Sequence, residues 1–110
     1  YDREIALVVD YQDPDTHHHE ILAVGRLSRV HGSNEAEFSM LVGDRYQCQG
    51  LGTELLRRLI QVGQDEQLDC ITAEILSENR PMQRVCEKLG FQIARPEEPE
   101  IVKAAFFLSQ

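Results

Sequence analysis

Residues 42–59, VGDRYQCQGLGTELLRRL, constrain this chain more than any other stretch. They join the end of an apolar run at 36–42 to a segment in which Leu51, Leu55, Leu56, Leu59, Ile60 and Gly63 recur at helical spacing. Glu54, Arg57, Arg58 and Gln61 fall on the opposite side of that helix. Between the two lies a polar turn holding Gly50 and Gly52. A strand, a glycine turn and an amphipathic helix in that order gather backbone N–H groups at the positive end of a helix dipole, which suits a pyrophosphate. The two glycines withhold the side chains that would keep an anion off the backbone. The spacing Gln47-x-x-Gly50-x-Gly52 lacks the Lys-Ser/Thr of a Walker loop and is not a complete GxGxxG.

The remaining pattern alternates strands and helices. Residues 4–10 are a compact apolar run with β-branched side chains and read as a strand. Residues 11–19, with Asp13-Pro14-Asp15, read as a polar hairpin loop. The second strand spans 20–30, with Ile21, Ala23, Gly25 and Leu27 on one face by the period of two. After a turn at 31–34, the third strand covers 36–42. Residues 68–76 form the next strand, reached through the helix as a β-α-β crossover, so these two strands are expected to be parallel. Gly63, inside the helix, predicts close packing there. Asn79 suits the N-cap of a second helix, with Pro81 in its first turn, Met82, Val85, Cys86 and Leu89 at helical spacing, and Gly90 as its stop. Residues 91–94 and 101–108 close the pattern as strands, separated by an acidic, proline-rich loop.

The turn resembles the acyl-coenzyme A binding motif of the GNAT family of N-acetyltransferases, Arg/Gln-x-x-Gly-x-Gly/Ala. The likeness continues in Glu78-Asn79-Arg80 and in Glu87-Lys88-Leu89-Gly90-Phe91, which resemble the family's second conserved helix and its Gly-Phe exit. Within the family, residues 20–27, 36–38 and the glutamine-rich turn look most like the acetyltransferase domain of bacterial protein lysine acetyltransferases, often fused to an acyl-CoA synthetase-like region. The resemblance implies an α/β (α+β) GNAT fold: a mixed, mostly antiparallel sheet with a central parallel strand pair and two helices. It also implies a single domain that starts at the family's second strand, without the strand and helices that normally precede it, and so belongs to a longer protein. The implied cosubstrate is acetyl-CoA, with no metal.

Site residues follow from the same resemblance. Gln47, Cys48, Gln49, Gly50, Leu51, Gly52 and Thr53 would hold the pyrophosphate, Met40, Leu41 and Val42 would pair with the pantetheine arm, and Asn79 would touch that arm as well as cap its helix. An alkylamine acceptor, with a reference pKa of about 10.4, needs a base at neutral pH. Glu37, in an apolar Ala-Glu-Phe context on the strand leading to the donor, is assigned that role, with Glu35 and Glu74 as fallbacks. Cys86 falls where many family members carry the tyrosine that protonates the leaving thiolate; its place on the apolar stripe makes it a core thiol and leaves the general acid unassigned.

Composition narrows the partners. At 110 residues the chain has room for one core. A net charge of −8 disfavours nucleic acid and suits a cationic acceptor, such as a lysine-bearing protein, or serves solubility alone. No apolar run approaches the roughly 18 residues of a membrane span, and three cysteines outside any Cys-x-x-Cys fit reduced thiols in the cytoplasm. His17, His18 and His19 are consecutive, so they do not converge on one ion and read as a solvated loop. The expected activity is acetyl transfer from acetyl-CoA to a protein lysine. The alternatives are a small-molecule amine acceptor and a non-catalytic acyl-CoA-sensing module.

Overall fold

A computed structural model describes residues 3–43, 50–94 and 100–108. Among them, six strands and two helices follow in the order β1 (Arg3–Gln12), β2 (His19–Arg29), β3 (Glu35–Val42), α1 (Leu51–Asp65), β4 (Cys70–Leu76), α2 (Arg80–Leu89), β5 (Gln92–Ala94) and β6 (Ile101–Phe107). The strands form one sheet in the order β1-β2-β3-β4-β6-β5. Every neighbouring pair is antiparallel except β3 and β4, which are parallel, as the crossover through α1 requires. This is the mixed sheet with a central parallel pair expected from the sequence.

Both helices pack on one face of the sheet. That face is built from alternate residues: Ala23, Gly25 and Leu27 on β2, Ala36 and Phe38 on β3, Ile71, Ala73 and Ile75 on β4, Val102 and Ala104 on β6, all buried. Leu55, Leu56, Leu59 and Ile60 of α1 and Cys86 of α2 close the core over them. Phe91, directly after the glycine that ends α2, stacks edge-on against Phe38 with ring centroids 5.6 Å apart. Gly25 lets α1 approach the sheet, because a Cβ there would lie 3.0 Å from Leu55 Cγ and 3.1 Å from Leu59 Cδ1. Gly63 does the same at the far end of α1, where a Cβ would meet Ile71 Cδ1 at 2.7 Å, which accounts for the glycine inside the helical pattern.

Element ends differ from the sequence reading in small ways. The first hairpin is longer than expected, since Tyr11 pairs with Glu20 and Gln12 with His19, leaving 13–18 as the loop; the register shifts between Val9 and Asp10. Ile21, read on one face with Ala23, Gly25 and Leu27 by the period of two, is 56% exposed, next to the register shift that leaves Leu22 out of the pairing with β1. Leu68 and Asp69 precede β4 rather than belong to it: the Leu68 N–H donates to the carbonyl of Gly63 and the Asp69 N–H to that of Asn34. No helix among the described residues is long and apolar enough to cross a membrane.

Candidate functional site

Strands β3 and β4 are in register for only three pairs, ending at Glu37 with Thr72. Beyond that point β3 runs on to Val42 still paired with β2, and β4 runs on to Leu76 still paired with β6. The two parallel strands therefore part in the middle of the sheet. A cleft of about 430 Å³ opens over this gap. Met40, Leu41, Val42, Gly50, Gly52 and Thr53 line it from one side, and Asn79, Pro81, Met82, Arg84, Val85 and Lys88 from α2.

Helix α1 starts at the cleft without a side-chain cap. Its N-cap is Gly50, whose φ of 86° is left-handed and suits glycine. The first intrahelical bond runs from the Glu54 N–H to the Gly50 carbonyl. The amides of Leu51, Gly52 and Thr53 precede it and have no acceptor among the described residues. They are the orphan donors of a helix N-terminus, carrying partial positive charge toward the cleft. Glu54 in the same turn does not cancel that charge. Its carboxylate accepts from Arg58 Nε at 3.2 Å and Arg57 Nη1 at 2.8 Å, and these bonds, that to Arg58 foremost, hold it below the usual carboxylate range.

Gly52 has a further property. Its backbone is not left-handed, and a Cβ built there would sit 3.8 Å from Met40 Sδ and 3.9 Å from Val42 Cγ2, ordinary contact distances. Among the described residues no packing contact demands glycine at this helical position.

Helix α2 is fixed by two features. The Met82 N–H donates to Asn79 Oδ1 at 3.3 Å, so Asn79 caps the helix as the sequence predicts, and Gly90 ends it with a φ of 104°. Gln83, 2% exposed, donates from Nε2 to the carbonyls of Leu76 and Ser77, tying α2 to the end of β4. That side chain holds the wall of the cleft in place, and it was not singled out from the sequence.

Of the residues expected at the site, Met40, Leu41, Val42, Gly50, Gly52, Thr53 and Asn79 converge on this cleft. The side chain of Leu51 lines a neighbouring groove against β1, with Leu7, Val9 and Asp10. Gln47, Cys48 and Gln49 lie outside the described residues. Glu37 is half-buried on the opposite face of the sheet, at the last paired position of β3. There it lines a second cleft of about 520 Å³ with Thr72, Glu74 and Lys103. Glu74 is exposed, in register with Lys103; Glu35 lies at the other end of the parallel pairing, opposite Cys70. Pro81, Met82, Arg84, Val85 and Lys88 were not assigned to the site, although the i, i+3 spacing of Met82 and Val85 from Asn79 marks one face of α2.

Cys86 is fully buried in the core. Burial, with Glu87 nearby, pushes its thiol up to about 12, so it stays protonated and is a poor proton donor. A raised pKa in the folded state leaves stability unaffected below the unfolded value near 9. As pH rises further, the unfolded chain ionises first and stability falls. Chemical denaturation between pH 9 and pH 11 is therefore expected to show a decline that is flatter in Cys86→Ala; identical slopes would show that other groups govern it. Burial also raises the pKa of Cys70. His19 lies 2.6 Å from Asp10 across the first hairpin, and no group of three or more metal-ligating side chains occurs among the described residues.

The site thus combines a parted parallel strand pair, a glycine N-cap at its mouth and a cleft between two helices of an α/β domain. Residues 2–92 match the model of the acetyltransferase (GNAT) domain, and the chain belongs to that family. Its structure is similar to the GNAT domain of S. lividans PAT, with 28% identity and a TM-score of 0.73 over 81% of this chain and 55% of that one. It also resembles the acetyltransferase yncA from Salmonella typhimurium, solved with its cofactor acetyl-CoA (22% identity, TM-score 0.74, 82% of this chain and 60% of that one). A third likeness is to a cAMP-binding acyltransferase from Mycobacterium smegmatis (27% identity, TM-score 0.68, 82% of this chain and 28% of that one). The chain thus spans about half the length of the S. lividans domain.

Proposed function

We propose that this domain transfers an acetyl group from acetyl-CoA to a primary amine, a protein lysine side chain being the acceptor class its acidity and its likeness to the PAT domain favour. The observation that carries the proposal is the set of three amides at the start of α1 that have no acceptor among the described residues, beside the gap where β3 and β4 part. Those amides bind the pyrophosphate through charge-assisted hydrogen bonds. The parted edge of β3 at Met40, Leu41 and Val42 receives the pantetheine amides as a strand would, and directs a backbone N–H at the thioester oxygen, where negative charge develops. Acetyl-CoA supplies the acyl group already activated as a thioester.

Glu37 is the last β3 residue paired with β4 before the strands part. The amine enters from the open sheet face, and Glu37 takes up its proton as the N–C bond forms and the C–S bond breaks. The departing thiolate is protonated from solvent, because Cys86 is sealed in the core. The buried Cys86, at the position where many family members carry a tyrosine, is the observation favouring the second reading, a module that binds acyl-CoA without turnover. Titration with acetyl-CoA followed by mass-spectrometric detection of acetyl-lysine on candidate proteins separates them: binding without product supports the module, and no binding overturns both.

Gly52 gives a sharper test. Gly52→Asp puts a Cβ at ordinary contact distances from the described side chains and an acid in the first helical turn, where the helix tolerates it. It should weaken acetyl-CoA by at least about tenfold, as its carboxylate repels the phosphate from the amides, whereas Gly52→Ala, which the family motif admits, should bind nearly as well as the parent. Unchanged affinity in Gly52→Asp would remove the amide cradle from the proposal.

A further inference from the structure

The cleft of about 520 Å³ on the open face of the sheet holds two acids, Glu37 and Glu74, and among the described residues one base, Lys103. Their order across the strands bears on the acceptor. Glu37 pairs with Thr72 where β3 and β4 part, and Glu74 is the next β4 residue after Thr72 on the open face, so the two carboxylates flank the start of the gap. Lys103 lies one strand further out. It is in register with Glu74 on β6, as Ala105 is with Thr72. Two strand spacings across and two residues along separate Lys103 from Glu37, about 12 Å between Cα atoms. Glu74 and Lys103 are both exposed, and neither forms an ion pair with a described residue, so the ammonium of Lys103 is available to a ligand.

Acid at the gap and base one strand beyond it match an acceptor whose charges run in the reverse order. An alkylammonium arriving over the gap meets the carboxylates of Glu37 and Glu74. A second cation on the same acceptor, as in a polyamine or a run of lysines, comes up against Lys103 and is repelled, whereas a carboxylate in that place is attracted. Three residues of extended peptide span about 10 Å, so a peptide crossing the strands from β3 to β6 sets a residue two or three positions from its target lysine beside Lys103. Resting on the reading of the open face as the acceptor's entry, we infer that Lys103 is a specificity-determining residue that selects a lysine with an aspartate or glutamate two or three positions away and rejects polyamines. The net charge of −8 draws basic partners in general, and Lys103 sorts among them.

The test compares kcat/KM for acetylation of peptides that share one lysine and carry Glu, Gln or Lys at two and three positions from it on either side, with spermidine as the polyamine. The parent is expected to favour the Glu peptide over the Gln peptide by about fivefold, the scale of an exposed ion pair, with the Lys peptide and spermidine slower still. Added salt should shrink that preference. Lys103→Gln should abolish it and Lys103→Glu should reverse it, outcomes that a purely structural role for Lys103 does not produce; acetyl-CoA titration reports that each variant keeps its donor site. A parent that does not favour the Glu peptide, or that prefers spermidine, or variants that keep the parent's order, overturn the assignment and leave acetyl transfer to amines standing. Donor binding without turnover of any peptide or of spermidine overturns the reading of the open face as the acceptor's entry, and the assignment with it.

Discussion

Glu37→Gln is expected to lower the rate of acetyl transfer by about 100-fold or more, within the range attributed to a general base, while leaving acetyl-CoA affinity nearly unchanged. The separation follows from placement: Glu37 lines the open-face cleft, and the donor is held on the other side of the sheet by backbone groups of β3 and α1. Gln preserves size and hydrogen bonding but takes no proton. The variant must then draw on the small neutral fraction of an amine whose pKa is about 10.4, a fraction that shrinks tenfold for each pH unit lost. Its deficit should therefore be larger at pH 6.5 than at pH 8.5. Glu74→Gln should cost less, because Glu74 is exposed and lies opposite Lys103. Rates for Glu37→Gln equal to the parent across that pH range would remove Glu37 as the base.

What the sequence announced, and what it withheld, divides along the range of the interactions involved. Asn79 and Gly90 bracket α2 through contacts a few residues away, so their roles follow from residue type. The leucine stripe of α1 and the alternation of Ile71, Ala73 and Ile75 fix which faces are buried, and Glu74 duly points away. The point where β3 and β4 part is different. It depends on how far two strands separated by a whole helix stay in register, and no local residue encodes that. Gln83 carried no signal in the sequence for a related reason: the carbonyls of Leu76 and Ser77 at the end of β4, which accept from its amide and make its burial tolerable, come to it only in the fold. Arg84 and Lys88 read as ordinary solvent-facing charge until α1 and α2 are brought side by side.

Leu59→Ala is expected to destabilise the fold by about 3–5 kcal/mol, the cost of emptying a leucine-sized space in a core. Leu59 is fully buried and belongs to the same cluster as Leu56, Ile71 and Phe38. Against a total stability of about 5–15 kcal/mol, that loss is a large share, and for a domain of this size it corresponds to a fall in Tm of about 15 °C. Gly25 makes the mechanism checkable. A Cβ there would lie 3.1 Å from Leu59 Cδ1, so Gly25→Ala alone forces Leu55 and Leu59 apart from the sheet. With Leu59 truncated, one of those clashes disappears and the added methyl occupies part of the vacated space, although Leu55 still crowds it. The double variant should accordingly be more stable than the sum of the single effects by about 1 kcal/mol. Because this contact sets the distance of α1 from the sheet, it also sets where the amides of Leu51, Gly52 and Thr53 stand relative to β3. Strict additivity of the two substitutions would mean that α1 is seated by something other than the Gly25 contact, and that the donor cradle takes its position from elsewhere in the core.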